Sequence, residues 1–184
     1  MTQIDISQAE NLLQEYSKDT LLHNQQVGNI MKYFANQLWE DQDYRYIVWL
    51  LHDIDRDHIG KVAANHLQEE FANIINKLPY DQTIKDQIIH DIRTHYPNGT
   101  NIEPEILIQK YLISIDELSG LMYAYSRMRW WFEWMETKWV IKKIKDKAFA
   151  AWVDREHVRN CESYLQIPLE DFVSQMILAY QNFA

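Results

Sequence analysis

Apolar side chains recur every three or four residues along almost the whole chain, and no stretch alternates convincingly between apolar and polar residues. This spacing is typical of amphipathic helices, whereas half-buried strands alternate with a period of two. Only four Gly and four Pro interrupt the pattern. We therefore predict an all-α protein.

The interruptions of this pattern mark where the helices begin and end. Ser7 and Glu10 form a Ser-x-x-Glu capping pattern at the start of the first helix, and Pro104 opens a long one. The third predicted helix is apolar on nearly all sides, so we expect it in the middle of the bundle. The predicted helices cover about residues 7–17, 20–39, 42–53, 61–77, 82–95, 104–128, 154–164 and 168–182.

Composition and charge exclude some classes of protein and leave others possible. Apolar residues make up 47% and aromatic residues 13% of the chain, which excludes a disordered or fibrous protein. A net charge of -9 argues against general nucleic-acid binding, whereas small phosphorylated substrates are compatible with it. The single cysteine, Cys161, the polar N-terminal stretch and the lack of a long apolar run predict a cytoplasmic protein without a membrane span.

Helical spacing sorts the histidines by the face that each occupies. His23 shares its face with Val27, Ile30 and Phe34, whereas His90 lies on a polar face. A buried carboxylate without partners is strongly destabilising, so an aspartate on an apolar face needs a cation or several donors. The polar residues that the pattern turns inward are His23, His52, Asp53, His66, His95 and Asp116.

Taken singly, each of these residues is more often a hydrogen-bonded core residue than a ligand. Taken together, imidazole and carboxylate groups suit a divalent transition metal, and this number of groups fills one or two coordination spheres. His52 and Asp53 are adjacent, so they point about 100° apart on a helix and can share an ion only near its end. The DRD stretch at residues 55–57 supplies such an end.

These residues resemble the HD-domain superfamily of metal-dependent phosphohydrolases, in which a His, an adjacent His-Asp pair and a distant Asp lie on successive helices. The corresponding stretches here read HNQQVGNIMKYFA, LLHDID and IDELSGLMYA. NHLQEE and IRTHYP add the further histidines of members with a two-metal centre, and similarity to small bacterial HD hydrolases extends through KKIKDKAFAAWVDRE. The length and the lack of a repeat or linker predict one domain over residues 1–184. The resemblance implies that it is an HD-type helical bundle with a metal-binding core at about 19–126 and a C-terminal helical extension at about 127–184.

The resemblance also implies a set of ligands and a reaction. His23, His52, Asp53 and Asp116 would hold one divalent ion, and His66 and His95 would hold a second, with Asp53 bridging. Fe, Mn, Zn, Co and Mg all accept parts of this ligand set. Water activated by the ions would attack phosphorus, so the implied activity is hydrolysis of a phosphate ester, of a nucleotide or a similar small molecule.

Two residues close to His52 and Asp53 have two predicted roles each. Asp55 and His58, together with Asp53, could act in catalysis by protonating a leaving group or orienting the water. The alternative for Asp55 and His58 is capping and loop hydrogen bonding.

Cationic side chains could hold the phosphate, since Arg clamps phosphate with two hydrogen bonds and Lys acts as a point charge. A solvated face is the alternative for the lysines around residue 143. The candidates are Arg56, Arg127, Arg129, Lys143, Lys147 and Arg155, of which the resemblance favours the last three.

The aromatic run WWFEWMETKW leaves more than one function open. Trp130, Trp131, Trp134 and Trp139 could stack on a nucleobase, or they could form core or homodimer contacts. The first alternative to an enzyme is a metal- or nucleotide-binding regulatory module with an HD fold, in which this aromatic segment would contact a partner. The second is a helical scaffold whose inward histidines form hydrogen bonds with one another.

Overall fold

The computed structural model describes residues 5–14, 16–59, 63–128 and 132–182. These residues form helices and turns and contain no strand, so the all-α prediction is confirmed. No helix in this part of the chain is both long and apolar enough to cross a membrane.

The chain divides into two compact units, Met1–Glu105 and Ile106–Ala184. The sequence-based boundary near residue 126 falls at the end of the longest helix, whereas the division between the units precedes that helix. The helices of the first unit are α1 (Ile6–Leu13), α2 (Lys18–Gln37), α3 (Gln42–Leu50), α4 (Arg56–Ile59), α5 (Glu69–Asn76), α6 (Gln82–Arg93) and α7 (Pro97–Thr100). Those of the second are α8 (Leu107–Met128), α9 (Thr137–Lys145), α10 (Asn160–Tyr164) and α11 (Leu169–Gln181).

Helices α2 and α3 pack against each other in the first unit. The predicted apolar face of α2 is buried, with Val27 and Ile30 fully covered. Helix α3 is buried from Arg45 to Leu50, which confirms that it lies inside the unit. The Asn24 side-chain amide donates to the Leu50 carbonyl at 2.9 Å and so fixes α2 against the end of α3.

The first helix begins earlier than the capping pattern predicts. Asp5, rather than Ser7, caps α1, because its carboxylate accepts hydrogen bonds from both the backbone N–H and the hydroxyl of Ser7. Asp and Ser are about equally good capping residues, so the sequence alone did not choose between them.

Three helices are shorter than predicted at the ends that matter for the site. Helix α3 ends at Leu50 instead of Asp53, α5 begins at Glu69 instead of near residue 61, and α6 ends at Arg93 instead of residue 95. The long helix α8 begins at Leu107 instead of Pro104. His52, Asp53, His66 and His95 therefore lie in turns next to helices rather than on helical faces.

The second unit is organised around α8, which contacts α9 and α10. The Asn160 amide donates to the Ile113 carbonyl at 3.1 Å, and the Asp154 backbone N–H donates to the Glu117 carboxylate at 3.1 Å. Helix α9 buries Val140 and Ile144, leaves Lys138, Lys142 and Lys145 exposed and half-buries Lys143.

Candidate metal centre

Two groups of side chains in the first unit bring ligand atoms close enough to hold a metal ion. We call His23, His52 and Asp53 ligand group A, and Asp53, His66 and His95 ligand group B. Within each group the ligand atoms all lie within 4.8 Å of one another. Asp53 belongs to both groups, so the structure brings together five of the six predicted ligands.

The imidazole nitrogens face each other in pairs. His23 Nε2 lies 3.3 Å from His52 Nε2 in group A, and His66 Nε2 lies 3.4 Å from His95 Nε2 in group B. The ring centres of His52 and His95 are 5.5 Å apart, so the two pairs are neighbours. Four histidines from four separate stretches thus form one continuous cluster.

Helix ends hold two of these rings in place. His52 follows α3 and its Nδ1 lies 2.7 Å from the Trp49 carbonyl, while His95 follows α6 and its Nδ1 lies 2.6 Å from the Ile92 carbonyl. A carbonyl oxygen can only accept, so Nδ1 carries the proton in both rings. Both carbonyls lie in the last turn of their helices, and the Ile92 carbonyl also accepts the His95 backbone N–H at 3.1 Å.

The third ring, His66, is held by a carboxylate. Its Nδ1 lies 2.8 Å from Asp55 Oδ1, and the Leu67 backbone N–H donates to Asp55 Oδ2 at 2.6 Å. Leu67 has a φ of 61°, a left-handed conformation that costs a non-glycine residue about 1–3 kcal/mol. Asp55 is fully buried and makes the loop hydrogen bonds that were the alternative to a catalytic role.

With Nδ1 as a donor, the neutral form of each of these three rings has its lone pair on Nε2. In group B the two Nε2 atoms lie within hydrogen-bond distance of each other, and Asp53 Oδ1 lies 3.4 Å from one nitrogen and 4.0 Å from the other. Two neutral rings in this arrangement repel unless a proton or a metal cation lies between the nitrogens. The group therefore has the chemistry of a cation site.

The nitrogen separations also fit a shared ion. Two imidazole nitrogens bound to one tetrahedral zinc-like ion at about 2.0–2.1 Å lie roughly 3.3–3.4 Å apart. The observed separations are 3.3 Å in group A and 3.4 Å in group B. These separations are compatible with a divalent ion shared within each group.

Asp53 lies between the two groups and presents a different oxygen to each. Oδ1 is directed to His66, and Oδ2 lies 3.9 Å from His52 Nε2. Burial alone would raise the pKa of Asp53, but attraction to the protonated form of His52 and to Arg56 holds that pKa well below its usual range. The carboxyl group is therefore ionised at neutral pH and can bridge two cations.

Arg56 is the predicted phosphate ligand that the structure places beside this cluster. Its Nε donates to Asp53 Oδ1 at 3.0 Å, and nearly half of its side chain is exposed. The C-terminal ends of α3 and α6, which precede His52 and His95, add partial negative charge that favours cations.

His58, the other residue with a predicted catalytic role, is exposed. Its Nε2 lies 3.1 Å from the Tyr16 hydroxyl, and its Nδ1 lies 3.8 Å from a Glu70 oxygen. It also lines an open cavity of about 680 Å³, whose wall is formed by His58, Ile59, Asn65, Gln68, Glu69, Glu70 and Asn73. Two carboxylates in this wall disfavour phosphate, so a role of His58 in proton transfer stays a prediction.

The other candidate site residues belong to the second unit. Asp116 is half-buried on α8 next to the buried Leu112, and its predicted role as a ligand stays a prediction. Arg127 donates to the Tyr123 hydroxyl at 3.1 Å. Arg129, Trp130 and Trp131 lie outside the described residues.

The favoured phosphate-binding residues of the second unit have local partners or face solvent. The Arg155 guanidinium donates to the carbonyls of Asp146, Phe149, Ala150 and Val153, so it organises the loop at residues 146–153. Lys143 Nζ lies 3.5 Å from Asp146 Oδ2 and 4.5 Å from the centre of the Phe149 ring.

Lys147 is exposed, as the solvated-face alternative predicts. Arg155 differs from Lys147, because its guanidinium bonds the carbonyls of its own loop and so has a structural role. The sequence did not indicate this role, since the acceptors are backbone carbonyls.

The tryptophans of the aromatic run that the structure describes are on the surface. Trp134 is 76% exposed, and Trp139 lies between Lys138 and Lys142 with its ring centre 5.6 and 5.3 Å from their Nζ atoms. These two residues are therefore not core residues, while stacking on a base and contact with a second copy stay predictions.

Sequence reasoning missed the groups that fix the rings. The carbonyls of Trp49 and Ile92 hold two of the four histidines, and every residue carries such a carbonyl, so no sequence signal marks them. For Asp55 the only signal was its position two residues after Asp53. Neither a protein-family model nor a curated protein nor a solved structure matches this chain.

Proposed function

We propose that the protein is a metal-dependent phosphohydrolase of the HD type, with one or two divalent ions held by ligand groups A and B. The observation that carries this proposal is the pair of Nε2 atoms in group B that face each other at 3.4 Å beside the Asp53 carboxylate. Two neutral rings so arranged need a proton or a metal cation between them, and imidazole with carboxylate suits a divalent metal.

Each residue of the cluster has a distinct part in this proposal. His23 and His52 would bind an ion through Nε2 on one side of Asp53, and His66 and His95 would bind one through Nε2 on the other. Bound divalent ions would activate water and neutralise charge on the phosphoryl oxygens, which is the chemistry that phosphate-ester hydrolysis requires. Asp53 contributes one oxygen to each side and so sets the spacing of the two groups.

Arg56 is the residue that we assign to the phosphate. It is half exposed and hydrogen bonded to Asp53, so its guanidinium is already directed to the cluster. Arg carries a permanent charge and a planar set of donors that matches phosphate oxygens. A small phosphorylated molecule such as a nucleotide is the substrate class that we propose.

Metal analysis and an activity screen test the proposal together. The purified protein is assayed for bound metal, and then for release of phosphate from nucleotides and other esters with and without added Mn²⁺. We expect bound divalent metal and metal-dependent hydrolysis. His52→Ala should abolish the activity, because it removes a ligand next to the bridging carboxylate.

His90→Ala is the matched control, since His90 is exposed on α6 outside both groups. It should bind metal and turn over substrate like the wild type. A protein that takes up no metal under any loading contradicts the proposal. Metal uptake with no hydrolysis of any phosphate ester would instead support the regulatory, metal-binding module.

A further inference from the structure

We propose that Asp55 is a positioning residue for ligand group B, which keeps the His66 proton on Nδ1 and thereby leaves Nε2 to bind the ion. The inference rests on the metal centre proposed above, but not on hydrolysis of a phosphate ester. It assigns to Asp55 a role in metal affinity instead of proton transfer to a substrate.

The geometry gives Asp55 two bonds that converge on His66. Asp55 Oδ1 lies 2.8 Å from His66 Nδ1, and Oδ2 accepts from the Leu67 N–H at 2.6 Å. Arg93 Nε donates to the Leu67 carbonyl at 3.0 Å from the other side. The backbone after His66, with its left-handed Leu67, is therefore held between Asp55 and Arg93, and the ring cannot turn without breaking these contacts.

The hydrogen-bond acceptor of His66 Nδ1 is charged, whereas the acceptors of His52 Nδ1 and His95 Nδ1 are neutral. His52 and His95 are each bonded to a neutral carbonyl, whereas His66 is bonded to a fully buried carboxylate. A carboxylate behind a histidine ligand makes the ring a stronger electron donor, and loss of such a partner typically lowers metal affinity by about 10–100-fold. We therefore expect Asp55 to strengthen group B selectively.

The two donors explain why an amide cannot replace the carboxylate. Both His66 Nδ1 and the Leu67 N–H donate, and Asn at residue 55 offers only one acceptor oxygen. If that oxygen bonds Leu67, the amide N–H₂ faces His66 Nδ1 and moves the ring proton to Nε2, the ligand atom. If it bonds His66, the Leu67 N–H is buried without an acceptor.

Titration with Co²⁺, followed by visible absorption of the bound ion, tests the assignment on the metal-free full chain. Asp55→Asn should weaken one of the two binding events at least about tenfold and leave the other unchanged. The same change in a His23→Ala background, where group A is already disrupted, should weaken the remaining event. In a His95→Ala background it should have no further effect.

Asp57→Asn is the matched control, because it removes a charge and hydrogen bonds from the next turn of the chain. Asp57 bonds Ser17 and Thr20 at the start of α2. This variant should lose some stability but keep both binding events of the wild type. Equal weakening of both events by Asp55→Asn would show a general structural role and overturn the assignment.

Nitrogen NMR of His66 in the metal-free wild type supplies a readout that needs no variant to fold. We expect the proton on Nδ1; a proton on Nε2 would overturn the inference. A wild type that binds Co²⁺ but hydrolyses no ester would contradict the proposed function alone. A wild type with activity and an Asp55→Asn variant with unchanged Co²⁺ affinity would contradict this inference alone.

Discussion

Two sets of side chains were candidates for the same phosphate chemistry: the ligand groups of the first unit and the cationic side chains of the second. The first set is buried among other ligand atoms, whereas the second faces solvent or bonds its own loop. His52 and His66 are buried, and their Nε2 atoms face other ligand atoms. Lys147 is exposed, and Arg155 donates to carbonyls of its own loop. A buried polar group must find a partner, whereas an exposed charge is satisfied by water. Inward polar residues are therefore more informative about function than a run of charges.

The strongest test of this contrast is removal of the carboxylate that both groups share. Asp53→Asn should abolish both metal-binding events and lower phosphate-ester hydrolysis by more than roughly 100-fold, since even loss of an outer partner of a metal ligand costs up to about that much. The measurements are metal content of the purified variant and its rate with the best substrate of the screen. Retention of both ions with near-wild-type activity would show that Asp53 does not bridge the groups.

An intermediate effect is expected in the second unit. Arg155→Ala removes donors to four carbonyls and should lower the free energy of unfolding by about 1–3 kcal/mol, measured by denaturant titration. Metal content and KM should not change. Lys147→Ala is the matched control and should stay within about 0.5 kcal/mol of the wild type, because the side chain is exposed.

The same pair of variants can contradict the contrast between the two units. A raised KM for the phosphate ester in Arg155→Ala, with unchanged stability, would assign that side chain to the substrate. The phosphate contact predicted from the sequence would then hold, and the carbonyl contacts would be secondary.

The smallest expected effect is at the single cysteine of the second unit. Cys161 is fully buried, and burial raises the pKa of its thiol to about 12. At pH 8 only about one thiol in ten thousand is ionised at that pKa, and the thiolate is the reactive form. Iodoacetamide should leave the native protein unlabelled and active at pH 7–9, with labelling by mass spectrometry only after unfolding. Labelling of the native protein with loss of activity would indicate a thiol role in catalysis.

Local patterns determined much of the architecture from the sequence alone. The period of apolar residues gave the all-α class, the buried face of α2 around His23 and the exposed position of His90. These predictions succeeded because they depend on which side of a single helix a residue occupies. The identity of most metal-ligand candidates followed from the same argument, although three of the histidines lie in turns next to helices.

Only the tertiary structure decided how those residues combine. His66 and His95 are 29 residues apart in sequence, and so are His23 and His52, so their facing nitrogens depend on packing between elements. The role of Asp55 and the ends of α3 and α6 depend on which carbonyl or N–H lies within hydrogen-bond distance. Periodicity reports burial, which is a property of one helix. Coordination, tautomer and charge partners are properties of several chain segments at once, and the sequence leaves them undetermined.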